Sequence, residues 1–455
     1  MDLNAFIHRT AFEHLPLAVV RQAERCVLDL AGAAAAGIGT KLSHIIRNHA
    51  VRNFCADRGG ARMLLDGRRV SAVGAALAGG MTIDSFDSHD GHALTKGHAG
   101  AAVLPALLAV TDADSIALSG RDFLTALIIG YEVAIRAGIA THRIAPDYHT
   151  SGSWNALGAT AIAARVRKLD ADKTRHALGI AEYHGPRSQM MRCIDFPTML
   201  KDGSGWGAMT GVSAADLAQD GFTGAPALVA ESQDVIDLWS DLGNRWRILE
   251  MYFKPYPVCR WAQPAIEAAL GLMAEHHLLA RDIERIEVTT FHEATRLSTA
   301  RPASTEEAQY SLPFPVAAAI VKGSLGPAEI DNEALRDPEI LRLSIATALR
   351  ESQKFNDRFP AERYAQVTFW LRDGRTLVSD ETRTRGDPES ALSDDALLVK
   401  FSMLASGSLD SGRRARITRR VETLGKADTS AVPLMDELLE PISREDVHLG
   451  DQIKA

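Results

Sequence analysis

Apolar residues recur at helical spacing through most of the first 260 residues of this chain. The clearest segments are 16–37, 121–140, 153–169, 173–185 and 207–222. Apolar side chains three and four positions apart over such lengths are typical of α-helices. Alanine and glycine lie on several faces of these segments, so that neighbouring helix axes can approach closely. The pattern predicts a bundle of mutually buried helices.

Beyond residue 280 the pattern changes. Residues 283–291 alternate between apolar and polar and include several β-branched side chains, which predicts a strand. Residues 364–383 predict a β-hairpin with its turn at Asp373–Gly374. Between these lie segments with helical spacing, 313–323 and 338–352, and the pattern is helical again towards the end of the chain.

These segments predict a mostly α fold with two domains. A chain of 455 residues is longer than one hydrophobic core usually serves. We predict a large all-helical domain formed by residues 1–262 and completed by residues 406–455. Residues 263–405 are predicted to form a smaller, inserted α+β lid domain.

Composition narrows the possible partners and the cellular location. The net charge is −8, and an acidic protein is a poor match for nucleic acid or an anionic membrane surface. No apolar segment reaches the roughly 20 residues that span a bilayer, and the N-terminus lacks the pattern of a secretory signal. The four cysteines are widely separated, which favours a reducing cytoplasm. We therefore expect a cytoplasmic protein without a nucleic-acid or membrane partner.

One short segment, DSFDSHDGHALTKGHAG at residues 84–100, is unusually rich in ionisable groups, with three aspartates, three histidines and a lysine. Three interpretations compete: a metal site, a solvated surface loop, or a loop that acts on a carboxylate substrate. The histidines lack the spacing of a common metal-binding motif, which argues against a metal. An apolar helix follows at once, and this favours a position in a cleft over a position in open solvent.

Separate segments of the helical half supply further polar groups. His149 precedes a predicted helix, and Lys201 precedes a glycine run that leads into another. Lys254 and Arg260 flank the rigid Pro255–Tyr256–Pro257 segment and suit carboxylate binding. Together with the 84–100 loop, these residues supply a general base and cations for removing a proton from a carbon next to a carboxylate.

The order and spacing of several segments resemble the MmgE/PrpD family. They include GYEVAIRAG, YHTSGSWNALGATAIAARV, MLKDGSGWGAMTGVSAADLAQDGFTG, FKPYPVCRWAQPAIEAAL and AQYSLPFPVAAAI, besides the 84–100 segment. The family includes 2-methylcitrate dehydratases, cis-aconitate decarboxylase and iminodisuccinate epimerase. The resemblance implies a helical domain with an α+β lid, an active site in the cleft between them, no cofactor or metal, and a homodimer.

The resemblance also implies roles for individual residues. Residues at matching positions are expected to be catalytic: Asp84, His98, His149, Lys201 and Tyr310. Others are expected to bind the substrate: Ser88, Lys254 and Cys259, to which the chemistry of the sequence adds Arg260. His98 or His149 would act as acid or base because an imidazole titrates near neutral pH. Asp84 would orient an imidazole or titrate itself, and Tyr310 would complete the site when the lid closes.

Three functional hypotheses follow for a small carboxylate substrate. The first is a lyase, most simply a hydro-lyase similar to 2-methylcitrate dehydratase. The second is an epimerase that acts on an iminodisuccinate-like dicarboxylate, since both reactions begin by removing the same kind of proton. The third is a non-catalytic binding protein with the same fold.

Overall fold

The computed structural model describes residues 1–56 and 59–442. The N-terminal part is helical, as the apolar spacing predicts, with a few two-residue strands. Its helices are α1 (Leu3–Arg9), α2 (Leu17–Gly37), α3 (Lys41–Asn53), α4 (Ala72–Asp84), α5 (Gly100–Ala113), α6 (Gly120–Ile144), α7 (Gly152–Val166), α8 (Ala171–His184), α9 (Met191–Asp195), α10 (Ser204–Gln219), α11 (Leu228–Glu231) and α12 (Asp237–Ser240). The short strands are β1 (Ala61–Arg62), β2 (Arg69–Val70), β3 (Gly91–His92) and β4 (Met251–Tyr252).

Small residues set the spacing at the centre of this bundle, where α10 packs against α4 and α7. A Cβ atom added to Gly80 of α4 would lie 2.5 Å from the Cα atom of Gly205 in α10. No side chain fits in that space, and the two backbones therefore touch. This close approach brings the C-terminal end of α4, at Asp84, beside the N-terminal end of α10.

The expectation that no segment is long enough to span a bilayer is wrong for helix α6, which is long and apolar enough to cross a membrane by length and composition. However, 94% of its most apolar stretch is buried inside the protein. That is the environment of a core helix, in which apolar residues on all sides contact other helices.

The region predicted to form the lid, called the lid below, follows β4 and contains helices on a small mixed sheet. Its helices are α13 (Gln263–Glu275), α14 (His292–Thr295), α15 (Thr305–Gln309), α16 (Pro313–Lys322), α17 (Pro338–Ile345) and α18 (Gln353–Asn356), and its strands are β5 (Ile283–Thr290), β6 (Thr347–Glu351), β7 (Ala365–Leu371) and β8 (Thr376–Val378). The strand order is β6-β5-β7-β8, with β6 parallel to β5 and the other pairs antiparallel. The predicted hairpin is confirmed as β7 and β8, and Gly374 at its turn has φ 89°.

The predicted helix over residues 338–352 is only half correct. Helix α17 ends at Ile345, and residues 347–351 form the edge strand β6. None of the residues of β6 is fully buried, because the strand pairs with β5 alone. Without a buried face, an edge strand carries little of the alternation by which strands are recognised.

Three helices follow the sheet: α19 (Asp394–Ala405), α20 (Ser411–Val421) and α21 (Val432–Leu439). Helix α19 packs against α2, and its Leu397 and Phe401 belong to the same buried apolar cluster as that helix. A separate apolar cluster lies beneath the lid sheet. Division of the chain at residues 262 and 405 stays a prediction, and residues 443–455 of its last segment lie outside the described residues.

Candidate active site

The 84–100 segment lies inside the protein, so the solvated-loop interpretation is wrong. Every residue from 84 to 92 is buried. Strand β3 pairs with β4, so that Gly91 lies opposite Tyr252, and a Cβ atom on this glycine would be 2.4 Å from the Tyr252 hydroxyl oxygen. From the other side, the Lys400 ammonium group donates a hydrogen bond of 2.6 Å to the carbonyl of Ser88. The loop is therefore fixed between the start of the lid and the C-terminal helices.

His98 has the properties of a general base. Its Nδ1 atom lies 2.5 Å from the backbone carbonyl of Asp90, and it must donate a proton to that acceptor. The lone pair of Nε2 is consequently free, and Nε2 lies 3.9 Å from Oδ1 of Asp87 and 4.0 Å from Oδ2 of Asp202. Burial, together with the positive charge of Lys254, lowers the pKa of His98 well below its usual value. The imidazole is thus neutral and able to accept a proton.

A second imidazole, His89, contacts the first edge to face, with 4.2 Å between the ring centroids. Its Nε2 atom lies 3.3 Å from Oδ1 of Asp84. The other carboxylate oxygen of Asp84 accepts a hydrogen bond of 3.1 Å from the backbone N–H of Ser204, at the start of α10. A helix N-terminus favours a negative charge at this point. The imidazole that Asp84 contacts therefore belongs to His89, and the role of Asp84 stays a prediction.

Lys254 and Asp87 form a buried ion pair at the centre of the cluster. Burial alone would raise the pKa of Asp87, but the charges of Lys254 and Lys201 hold this pKa well below its usual value. Asp87 therefore stays ionised beside the ammonium group. The predicted cation Lys254 is present in the cluster with this carboxylate as its partner.

Lys201 brings a second buried ammonium group to the same place. Its backbone has a positive φ of 51°, which an ordinary L-residue rarely adopts. The Nζ atom donates a hydrogen bond of 2.6 Å to Oε1 of Gln309 and lies 4.6 Å from the centre of the Tyr310 ring. Both of these partners belong to the lid. Lys201 and Tyr310, which the sequence predicted as separate site residues, thus meet where the two parts of the protein join.

Asp202 is the principal residue that the sequence reasoning missed. Its side chain is buried, accepts a hydrogen bond from the Ser151 hydroxyl, and faces Nε2 of His98. Burial and the nearby charge of Asp84 raise the pKa of Asp202 to about 7. The available signal was its position directly after Lys201, in the segment Lys201–Asp202–Gly203. A neutral imidazole and a carboxyl group whose pKa is raised to about 7 therefore lie side by side.

The remaining predicted residues fall into two groups. Tyr310 and Cys259 line the cluster as neutral groups, since burial raises the pKa of Cys259 to about 12 and that of Tyr310 well above its usual value. Ser88 is also buried there, and its hydroxyl has no hydrogen-bond partner among the described residues. Arg260 is occupied elsewhere, with hydrogen bonds of 3.2 Å to the Thr384 carbonyl and 2.6 Å to the Asp387 carboxylate.

His149 is held by contacts within its own loop and with Gln189. It is half-buried, and its Nδ1 atom is 2.8 Å from the backbone carbonyl of Asp147. Its backbone forms a bridge with Gln189. These contacts hold it in the loop before α7, whereas His98 is held by the segment that precedes α5.

Three side chains could in principle hold a metal ion. Ligand atoms of Asp87, His89 and His98 all lie within 4.8 Å of one another. However, the Lys254 ammonium group already pairs with the Asp87 carboxylate, and the charge of Lys201 acts on the same group. Two positive charges at this carboxylate oppose a further cation. We therefore assign the cluster to acid–base chemistry.

Comparison with known proteins places this architecture in a family. Residues 1–245 match the MmgE/PrpD N-terminal domain, and residues 256–425 match the MmgE/PrpD C-terminal domain. The chain belongs to the MmgE/PrpD family.

Two relatives cover nearly the whole chain. The cis-aconitate decarboxylase-like protein oryM of Aspergillus oryzae is 24% identical, over 95% of this chain and 94% of its own length. The cis-aconitate decarboxylase of Aspergillus terreus is 21% identical over the same shares of the two chains. These relatives are enzymes by name, which supports a catalytic role for the family site.

Proposed function

We propose that this protein is a lyase that removes the proton next to a carboxylate in a small di- or tricarboxylate, most simply as a hydro-lyase. One observation carries the proposal. The neutral imidazole of His98 and the carboxyl group of Asp202, whose pKa is about 7, lie 4.0 Å apart beside two buried ammonium groups. A base, an acid and cations in one buried place are what an elimination next to a carboxylate requires.

The proposed reaction uses these groups in one sequence. Lys201 binds a substrate carboxylate and stabilises the negative charge that develops on it. Nε2 of His98 takes the proton as the C–H bond breaks, and the electron pair of that bond forms the C=C bond. The C–O bond to the leaving hydroxyl breaks, Asp202 gives its proton to this hydroxyl, and water departs. Tyr310 covers the site from the lid and excludes solvent.

Decarboxylation is the second candidate, and the names of the Aspergillus relatives favour it. In that reaction the C–C bond to a carboxylate breaks, neutral carbon dioxide leaves, and the electron pair of that bond stays on the remaining carbon. This carbanion then takes a proton from Asp202. An epimerase would instead return a proton to the same carbon from the opposite face. All three reactions require a cation next to the reacting carbon. We also propose that the protein functions as a homodimer.

Proton NMR in heavy water with a panel of hydroxy di- and tricarboxylates, and with cis-aconitate, separates these reactions. New vinylic signals from a hydroxy acid support the hydro-lyase. Proton signals of a product that has lost one carboxylate carbon support the decarboxylase, whereas exchange of the Cα proton without a new product supports the epimerase. The His98→Ala protein serves as the control for contaminating enzymes. No change with any compound would contradict an enzymatic role on such substrates.

The proposed acid predicts the pH dependence of the reaction. Asp202 must carry a proton to assist the leaving hydroxyl, and its pKa is about 7, so kcat/KM should fall as the pH rises above that value. The pKa of His98 is lowered well below 6.5, so the decline on the acid side should lie below that pH. Asp202→Asn should remove the alkaline decline and lower kcat/KM by roughly 100-fold.

A wild-type profile that stays flat between pH 6 and pH 9 would contradict this assignment. Ser311→Ala is a suitable control, since this buried hydroxyl of the lid donates to the Thr299 carbonyl and not to the cluster. Its pH profile should match that of the wild-type protein.

A further inference from the structure

We propose that Gln309 is a positioning residue, which places Lys201 and the Asp87 segment correctly when the lid is seated. The proposal rests on the proposed function, because it assigns Lys201 as the cation that receives a substrate carboxylate. Gln309 lies at the end of α15, directly before Tyr310, and is fully buried. Neither the sequence pattern nor the acid–base groups described above required a glutamine here.

The side-chain amide of Gln309 joins several parts of the site at once. Its Oε1 atom accepts hydrogen bonds from the backbone N–H of Asp87, at 2.8 Å, and from the Lys201 ammonium group, at 2.6 Å. Its Nε2 atom donates to the Ser85 carbonyl, at 3.2 Å, and to the Thr305 hydroxyl, at 3.0 Å. Four polar groups on three segments of the chain are therefore satisfied by one side chain.

The backbone of Gln309 adds a further connection. Its carbonyl accepts a hydrogen bond of 2.9 Å from the backbone N–H of Cys259. Cys259 lies two residues after the Pro255–Tyr256–Pro257 segment, which Lys254 directly precedes. A single lid residue is thus bonded to the loop that carries Asp87, to Lys201, and to the segment after Lys254.

The orientation of the amide is fixed by its partners. A backbone N–H and an ammonium group only donate, so both must meet the oxygen, and the Ser85 carbonyl only accepts, so it must meet the nitrogen. Glutamate at this position could not donate to Ser85. Methionine has a similar length but could neither accept from Lys201 nor donate to Ser85. The site therefore needs a primary amide of this length.

The Gln309 side chain is uncharged, unlike the carboxylate that pairs with Lys254. Lys254 already has an anionic partner in Asp87. Lys201, in contrast, is held by an uncharged amide oxygen and by the face of the Tyr310 ring. Its ammonium group is thereby fixed in place while its positive charge is not neutralised by these two partners. A substrate carboxylate is the anion that this arrangement suits.

Seating of the lid is coupled to this geometry. Gln309 and Tyr310 belong to the lid, whereas Lys201, Ser85 and Asp87 belong to the helical part. Displacing α15 would remove both contacts from Lys201 together. The amide thus makes the position of the cation depend on the position of the lid.

The test compares Gln309→Met, Gln309→Glu and Ser311→Ala with the wild-type full-length chain. Ser311 lies two residues further along, is fully buried, donates 2.7 Å to the Thr299 carbonyl, and accepts 3.0 Å from the N–H of Phe314. It controls for a destabilised lid because all of these contacts stay within the lid. The measurements are the melting temperature, kcat and KM for the substrate found by NMR, and the Kd of propane-1,2,3-tricarboxylate, which has no hydroxyl to lose.

Gln309→Met should weaken binding of the tricarboxylate and raise KM by roughly tenfold or more, as expected for the loss of a hydrogen bond to a charged group. Gln309→Glu should weaken binding more strongly, because the new carboxylate neutralises Lys201. That loss should be partly reversed at lower pH, where the introduced carboxyl is protonated. Ser311→Ala should lower the melting temperature while leaving KM and Kd within about twofold of wild type.

Two outcomes would overturn the role of Gln309. Either Gln309→Met binds the tricarboxylate as tightly as the wild type, or Ser311→Ala weakens binding as much as Gln309→Met does. Failure of the proposed function gives a different result, since the wild-type protein would then bind the tricarboxylate without converting any substrate. In that case the ratio of the Kd values still decides the role of Gln309. A wild-type protein that neither binds nor converts a carboxylate would overturn both proposals.

Discussion

Replacing His98 with alanine is expected to lower kcat by about 100- to 10,000-fold, the usual contribution of a general base. The imidazole is held by its Nδ1 contact to the Asp90 carbonyl and by its own backbone N–H, which donates 2.9 Å to the Ser151 hydroxyl. These bonds direct Nε2 into the cluster, where it is the basic nitrogen beside Asp87 and Asp202. The measurement is kcat at saturating substrate, together with the melting temperature of each protein.

His92→Asn supplies a matched control for the His98 variant. His92 belongs to the same segment and is buried, but its Nε2 atom lies 3.1 Å from the Glu250 carboxylate and not in the cluster. We expect its replacement to lower the melting temperature and to leave kcat within a few-fold of wild type. A loss of tenfold or less for His98→Ala would give His98 a structural role instead.

The second large effect concerns stability. Lys400→Met is expected to lower the free energy of unfolding by about 3–5 kcal/mol, because it leaves a buried carboxylate without its partner. Lys400 extends from α19 to the carboxylate of Asp29 in α2, and both side chains are buried. It also donates to the carbonyl of Ser88. Urea denaturation measures the change, provided that the dependence on urea concentration stays the same.

The double variant Asp29→Leu with Lys400→Met tests the cause of this loss. Removing both charges should recover most of the stability, since a buried ion pair contributes little more than apolar side chains of similar size. The double variant should still show lower activity than the wild type, because the Ser88 carbonyl has lost its donor. A double variant that is less stable than either single variant would contradict the ion-pair explanation.

The helical part of the fold could be predicted because its sequence signals are local. The segments that became α2, α6, α7, α8 and α10 all show helical spacing of apolar residues, and Gly221, with φ 96°, follows the last of them as a termination signal. The edge strand β6 could not be predicted, because its pairing with β5 depends on residues about 60 positions away. The sequence pattern placed residues 394–405 at the end of the lid domain, because their packing on α2 as helix α19 depends on contacts such as that of Lys400 with Asp29, 371 positions apart.

The sequence was a better guide to which residues form the site than to which side chains each of them contacts. Asp84, His98, Lys201 and Lys254 were selected from separate segments, and the structure brings them into one buried cluster. The pairing of Lys254 with Asp87 and of Asp84 with His89 depends on tertiary packing. Asp202 and Gln309 were missed for a related reason. Asp202 follows the predicted residue Lys201, and Gln309 precedes the predicted residue Tyr310. The raised pKa of Asp202 and the four side-chain hydrogen bonds of Gln309 arise only from their buried positions in the folded protein.

The contact between Lys400 and Ser88 has a consequence for biosynthesis. The carbonyl of Ser88 lies at the centre of the reactive segment, yet its donor is made more than 300 residues later. A nascent chain on the ribosome can form most of the helical bundle while this segment still lacks its last support. We therefore expect the site to become active only after α19 has left the ribosomal exit tunnel and docked on the bundle. A nascent chain that still lacks α19 should be inactive.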